Sequence, residues 1–259
     1  MEPRTELPMH LGSRETSGSR VTADAGTWTL DIPAGDGRGY RLAQLDDYGR
    51  RARRDLAWQA PVTLKLQARV SGADLPGTWG FGFWNDPFGL SLGFGGAAVR
   101  LPCLPNCAWF FHASPPNHLS LDEGVPGSGF FAGTFHSPRL PSIFSLPALF
   151  GLPLLAIRPL ARRVRRLAAK WVRQSGASVR VDVTGWHTYE IRWLSERCEF
   201  LVDETLLLQT DIVPAGPLGL VIWIDNQYAA WGPDGRLRYG LLAGGESWLE
   251  LRELEILHK

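Results

Sequence analysis

At 259 residues, with 44% hydrophobic residues, 11 Trp and 12 Phe, the chain can pack one large domain or two small ones. Its formal charge of +1 assigns no partner by itself, and three cysteines are too few for a disulfide framework. The first twenty residues carry no apolar run, so neither a signal peptide nor an N-terminal membrane anchor is expected. Cys103, Cys107 and Cys198 are read as free thiols in a reducing compartment, although Cys103 and Cys107 are close enough in sequence to pair. The expected location is the cytoplasm, with peripheral membrane attachment through one face held open.

In chain order, residues up to about Ala25 read as a flexible N-terminal segment, with a β-sandwich domain from residue 26 to residue 259. Trp28 to Ile32 is the first predicted strand. Residues 38–48, RGYRLAQLDDY, lead into a basic run from Arg50 to Arg54. Pro61 to Val70 alternates apolar and polar residues, as a strand with one buried face does. After a turn at Gly72 to Gly77, the segment WGFGFW at 79–84 reads as a strand whose glycines admit a close approach of backbone or ligand. Two more strands are predicted at 108–114 and 129–136, separated by a loop containing Asp122 and Glu123.

Residues 137–178 break this pattern. An apolar, proline-interrupted run leads to Arg158–Gln174, where apolar residues recur at helical spacing and place Leu160, Val164, Leu167 and Trp171 on one side. The insertion holds eight of the 27 Lys and Arg and none of the 26 Asp and Glu, leaving 19 basic against 26 acidic residues elsewhere. The apolar run is too short and too kinked to span a bilayer. Three roles stay open: packing on the sandwich, contact with a partner or second copy, and attachment to an anionic membrane. Phe150, Leu154, Arg162, Arg166 and Trp171 are the candidate contact residues. Nucleic acid is not expected, since no reader motif and no aromatic-basic interleaving on strands is present.

The β pattern resumes at Trp186–Leu208, WHTYEIRWLSERCEFLVDETLLL, which reads as a hairpin followed by a second tight turn and a third strand. Strands at 217–228 and 248–256 complete the set. The predicted fold is all-β: a two-sheet antiparallel jelly roll with one amphipathic helical insertion.

Two segments carry a family resemblance. The strand Trp-His-x-Tyr-x-Ile-x-Trp leading to a Phe-x-Val-Asp turn is similar to the strand pair of concanavalin A-like lectin and glucanase domains. LKLQARVSGADLPGTWGFGFWND resembles the corresponding segment of glycoside hydrolase family 16. The resemblance implies a jelly roll with a sugar-binding groove. It also implies a Glu-x-Asp-x-x-Glu motif on the following strand, where two carboxylates would act as nucleophile and acid/base. The matching stretch here, Ala108 to Pro116, contains no carboxylate. Related folds often carry a structural calcium, but the sequence offers no ligand set for one, and no other cofactor or metal is expected.

Side-chain parity then supplies the candidate ligand-binding set: Trp84, Asp86, His112, Ser114, Thr134, His136, Trp223 and Asp225. Aromatic platforms beside polar groups suit sugar rings, whose C–H faces pack on indole. The expected activity is binding of a carbohydrate or glycolipid without retaining glucanase chemistry. The alternative is a glycoside hydrolase or other enzyme using Asp and His groups in the same groove.

Overall fold

The computed structural model describes residues 4–6, 11–16, 18–87, 103–122, 124–139, 157–232 and 234–258. Its elements in order are β1 (Arg4–Glu6), β2 (Gly12–Thr16), β3 (Arg20–Asp24), β4 (Thr27–Ile32), β5 (Leu42–Asp46), β6 (Val62–Val70), β7 (Thr78–Trp84), β8 (Cys107–Ala113) and β9 (Gly129–His136). The helix α1 (Arg158–Trp171) follows. Then come β10 (Arg173–Ser178), β11 (His187–Trp193), β12 (Cys198–Val202), β13 (Thr205–Thr210), β14 (Gly219–Asp225), β15 (Gln227–Trp231), β16 (Leu237–Leu241) and β17 (Ser247–His258).

These strands build the expected antiparallel sandwich. One sheet runs β13-β12-β11-β6-β17-β4-β3, with β1 also on β17, and the other runs β10-β9-β8-β7-β14-β5-β2. β15 and β16 form a separate hairpin. The strand β17 sits between β6 and β4 through residue 252. A register shift between Arg252 and Glu255, where Glu253 takes φ 53°, then lets its far end keep β6 and meet β1.

The core lies between the two sheets and is largely aromatic. Tyr189, Ile191 and Trp193 of β11 point inward with Cys198, Phe200 and Val202 of β12, as the period-2 pattern predicts. From the facing sheet come Trp79, Phe81, Phe83, Phe110 and Ile222. Rings interlock across the gap: Phe81 meets Tyr189 at 5.1 Å and Phe110 meets Phe200 at 5.5 Å, both edge to face. All three cysteines are free, and Cys107 and Cys198 are buried.

Several expectations differ from the structure. Residues 12–16 and 20–24 are not a loose N-terminal segment; β2 and β3 are edge strands of opposite sheets. Neither has a buried residue: β2 is GSRET, and β3, RVTAD, lends only a half-buried Val21 to the core, because an edge strand is held chiefly by backbone pairing. The strand expected at 217–228 stops at Asp225, since the Asn226 side chain accepts from Arg41 N and donates to the carbonyls of Gly39 and Leu242. The helix ends at Trp171 rather than Gln174. Residues 173–178 pair instead with β9, and the Gln174 amide binds the Ser120 hydroxyl and Leu121 N.

Phe200 is fully buried, its ring edge to face with Phe110. Phe200→Ala is expected to cost about 3–5 kcal/mol in a denaturant unfolding measurement.

Candidate functional site

The outer face of the seven-stranded sheet has its own aromatic layer. On β7 the sequence TWGFGFW sends Trp79, Phe81 and Phe83 into the core and turns Thr78, Gly80, Gly82 and Trp84 outward. In register, Gly80 lies between Trp223 of β14 and Phe111 of β8, and Gly82 between Val221 and Trp109. A Cβ on Gly80 would stand 2.4 Å from the Phe110 carbonyl oxygen and 2.9 Å from a Trp223 ring carbon. On Gly82, whose φ is +151°, it would meet the Ala108 carbonyl oxygen at 2.4 Å. These glycines therefore make room for neighbouring indoles and backbone.

The indoles gather over that floor. Trp84 and Trp223 stack with centroids 6.0 Å apart and planes 8° from parallel. Trp109 adjoins Trp223 at 5.8 Å and Phe111 at 4.9 Å. Trp223 and Trp109 are only 5% and 6% exposed, whereas Trp84 is half-buried. Leu104, Leu119, Leu121 and Val172, which follows α1, join this layer and help to bury it.

Two polar clusters anchor the rings. Trp223 Nε1 donates to Thr78 Oγ1 at 2.9 Å, and that hydroxyl donates to Asp225 Oδ1 at 2.8 Å. The Tyr40 hydroxyl donates to Asp225 Oδ2 at 3.2 Å. Trp84 Nε1 donates to the Tyr48 hydroxyl at 2.8 Å. Gln44 links that hydroxyl to Asp46, which also pairs with Arg14 at 3.1 Å. Burial raises the Asp225 pKa to about 7, although the donors around it pull the other way. Burial and the charge of Asp225 push Tyr40 up as well.

Asp225 faces Leu42 in register and Asp46 faces Val221, four positions along the same strand pair. Their backbones are thus about 13 Å apart along the sheet, against roughly 5–5.5 Å between the carboxyl groups of a retaining glycosidase. The outward residues of β8 are Cys107, Trp109, Phe111 and Ala113. Among the described residues, no group of three or more His, Cys, Asp or Glu is placed to hold a metal.

Of the eight residues singled out by parity, Trp84, Trp223 and Asp225 share this face. Asp86 sits at its rim with φ 47°, and its charge reaches Tyr48 and Cys103. The other four are elsewhere. His112 points inward and stacks on Trp79 at 5.3 Å; burial lowers its pKa to about 4 and keeps the ring neutral. Thr134 stands opposite Ala108, fully buried and with no hydrogen-bond partner for its hydroxyl. His136 follows the same inward parity to the strand end, where Nδ1 meets the Val213 carbonyl at 2.7 Å. It borders a separate surface depression of about 360 Å³ with Arg173, Glu196 and Asp211. Ser114 lies just beyond β8, and its hydroxyl accepts from Gly77 N.

The parity argument fails on β8 because that strand is buried on both faces, so AWFFHA carries no alternation to read. Sequence reasoning also missed Trp109, Thr78, Tyr40 and Tyr48. For Thr78 a signal existed, since it shares the parity of Gly80 and Trp84; for Trp109 the unbroken apolar run of β8 gave none. In the insertion, Arg162, Arg166 and Trp171 are exposed, while Phe150 and Leu154 lie outside the described residues.

The fold class is thus a two-sheet antiparallel jelly roll with one helical insertion. No protein-family model matches the chain, and no curated protein does. Similar solved structures include an endo-β-1,4-glucuronan lyase from Trichoderma reesei, at 11% identity and a TM-score of 0.49, covering 97% of this chain and 91% of that one. A Bacillus licheniformis β-glucanase gives 9% identity and a TM-score of 0.49, covering 98% and 94%. The carbohydrate recognition domain of Emp47p gives 11% identity and a TM-score of 0.47, covering 98% and 90%.

The raised pKa of Asp225 has a stability consequence. Below the unfolded value near 4, both states are protonated and the burial carries no penalty. As pH rises from about 4 towards the folded value of about 7, the unfolded state ionises first and stability falls, levelling off above the folded value. Asp225→Asn is expected to flatten this part of the profile, measured as urea midpoints at pH 4.5, 6 and 7.5. Two groups still titrate in the variant with opposite signs: Asp47, raised to about 6 by burial, loses stability as pH rises, and His112, lowered to about 4, gains it.

Proposed function

We propose that the protein binds carbohydrate on the outer face of its seven-stranded sheet, as a concanavalin A-like domain that lacks the retaining glucanase reaction. The observation that carries this reading is the parallel Trp84–Trp223 pair, whose outer member is half-buried at the rim beside Tyr48 and Asp86. An accessible indole over a rigid, hydrogen-bonded base offers an apolar platform for a sugar ring, and a nearby carboxylate accepts from its hydroxyls. The family's reaction is not assigned because Ala108–Pro116 has no carboxylate and Asp46 and Asp225 are four register positions apart.

The enzymatic alternative rests on Asp225, whose proton affinity suits acid/base work near neutrality. Against it, Asp225 is 1% exposed and committed to Thr78, Tyr40 and Gln227 N, and His112 faces the core.

A glycan array followed by calorimetric titration of the best oligosaccharide tests the binding reading. Trp84→Ala is expected to weaken binding by about 1–3 kcal/mol. Trp223→Ala, which empties a buried position, should instead lower stability by about 3–5 kcal/mol. Unchanged affinity in Trp84→Ala would remove the platform. Sustained cleavage of laminarin or lichenan that disappears in Asp225→Asn would favour the enzyme.

A further inference from the structure

The helix α1 meets the sandwich by an unexpected side. Its buried residues are Ala161 and Arg165, joined by Val172 just past its end. Arg165 is the anchor: Nε donates to the Trp231 carbonyl at 2.9 Å and Nη2 to the Ser120 carbonyl at 3.0 Å. At the first turn, Gly235 (φ +77°) lets the loop before β16 close on Arg162, where an added Cβ would stand 2.7 Å from its backbone nitrogen. Turning the helix to bury its apolar stripe would pull the Arg165 guanidinium away from both carbonyls.

The stripe is consequently left outward. Ile157, Val164, Leu167 and Trp171 are 54%, 36%, 52% and 53% exposed. Their spacing keeps them on one side of the helix. Arg158, Arg162, Arg163, Arg166 and Lys170 are exposed around the remainder, and the helix contains no acidic residue. The β15–β16 hairpin, which supplies the Trp231 carbonyl, repeats the chemistry on a smaller scale. Leu237 and Tyr239 are 40% and 58% exposed, alternating with Arg238 and with Arg236, which pairs with Asp234 at 3.8 Å.

We propose that α1, helped by this hairpin, docks the protein on an anionic lipid bilayer, with the apolar stripe in the headgroup boundary and the arginines on the phosphates. Charge selects this occupant. The exposed basic residues of α1 have no carboxylate of their own helix to neutralise them, and Leu and Trp on one face beside Arg and Lys on another are what an interfacial helix presents. Each basic side chain that reaches an anionic surface adds roughly fivefold to affinity, and the attraction fades with salt. No helix among the described residues is long and apolar enough to cross a membrane, so this contact lies in the interface plane.

The test is co-sedimentation of the intact chain with phosphatidylcholine vesicles and with vesicles containing 30% phosphatidylserine, at low and high salt. Binding is expected to require phosphatidylserine and to fall steeply with salt. Leu167→Asn combined with Trp171→Asn should weaken it about tenfold or more, as should Arg163→Gln combined with Arg166→Gln and Lys170→Gln. All five positions are exposed, so circular dichroism and unfolding midpoints should match the parent. Equal binding to both vesicle types, binding to neither, or wild-type binding by the apolar double variant would overturn the proposal. Self-association in light scattering without lipid, abolished by that same double variant, would overturn it in favour of a second copy of this chain.

Discussion

Strand β7 must be bulky on its inward face and bare at the middle of its outward one, between Thr78 and Trp84. Its inward Trp79, Phe81 and Phe83 fill the space between the sheets, where Phe83 meets Trp193 at 5.7 Å. Its outward glycines leave a trough that Trp223 and Trp109 occupy from the strands on either side. A side chain at Gly80 or Gly82 would strike backbone first, so the rings cannot settle unless both positions stay bare. The core and the candidate binding face are therefore set by the same seven residues: three rings fill the one, and two glycines between Thr78 and Trp84 leave room for the other.

Much of this was legible in the residues. On β11 half-buried and buried residues alternate through Trp193, as the period-2 pattern predicts, and on β12 they do so as far as Phe200, beyond which Leu201 is buried too. The glycines of WGFGFW signalled a close approach, and the structure identifies what approaches as indole and backbone. On strands buried throughout, parity does not say which face is which: on β14 Trp223 lies outward as read, and on β8 His112 lies inward. β8 shows unbroken burial, which made the inward His112 look like a groove residue. β2 and β3 show almost none and passed for a loose tail. Ser114 failed differently: it lies past the strand end, where alternation no longer applies.

The helix exposes a separate limit of pattern reading. Spacing identifies an apolar stripe but not the direction in which it points. For α1 that direction is set by Arg165, a charged residue whose two carbonyl partners come from Ser120 and Trp231, distant in sequence. Periodicity treats Arg165 as one more solvated arginine. The tertiary structure makes it the residue that decides which face is free, because a buried guanidinium must keep its acceptors.

The position of β17 bears on how the molecule is made. This strand lies inside the eight-stranded sheet, with Val70 of β6 on one side and Leu30 of β4 on the other both opposite Leu249. During synthesis β4 and β6 emerge early, yet the strand that joins them is among the last of these residues to appear. Until then the ribosome-bound chain holds two unfinished sheet margins with their aliphatic inner faces unsealed, a state open to non-native strand pairing. The dense charge on the outward positions of the waiting strand, Glu250, Arg252, Glu253 and Glu255, discourages it from pairing with copies of itself before it reaches its slot.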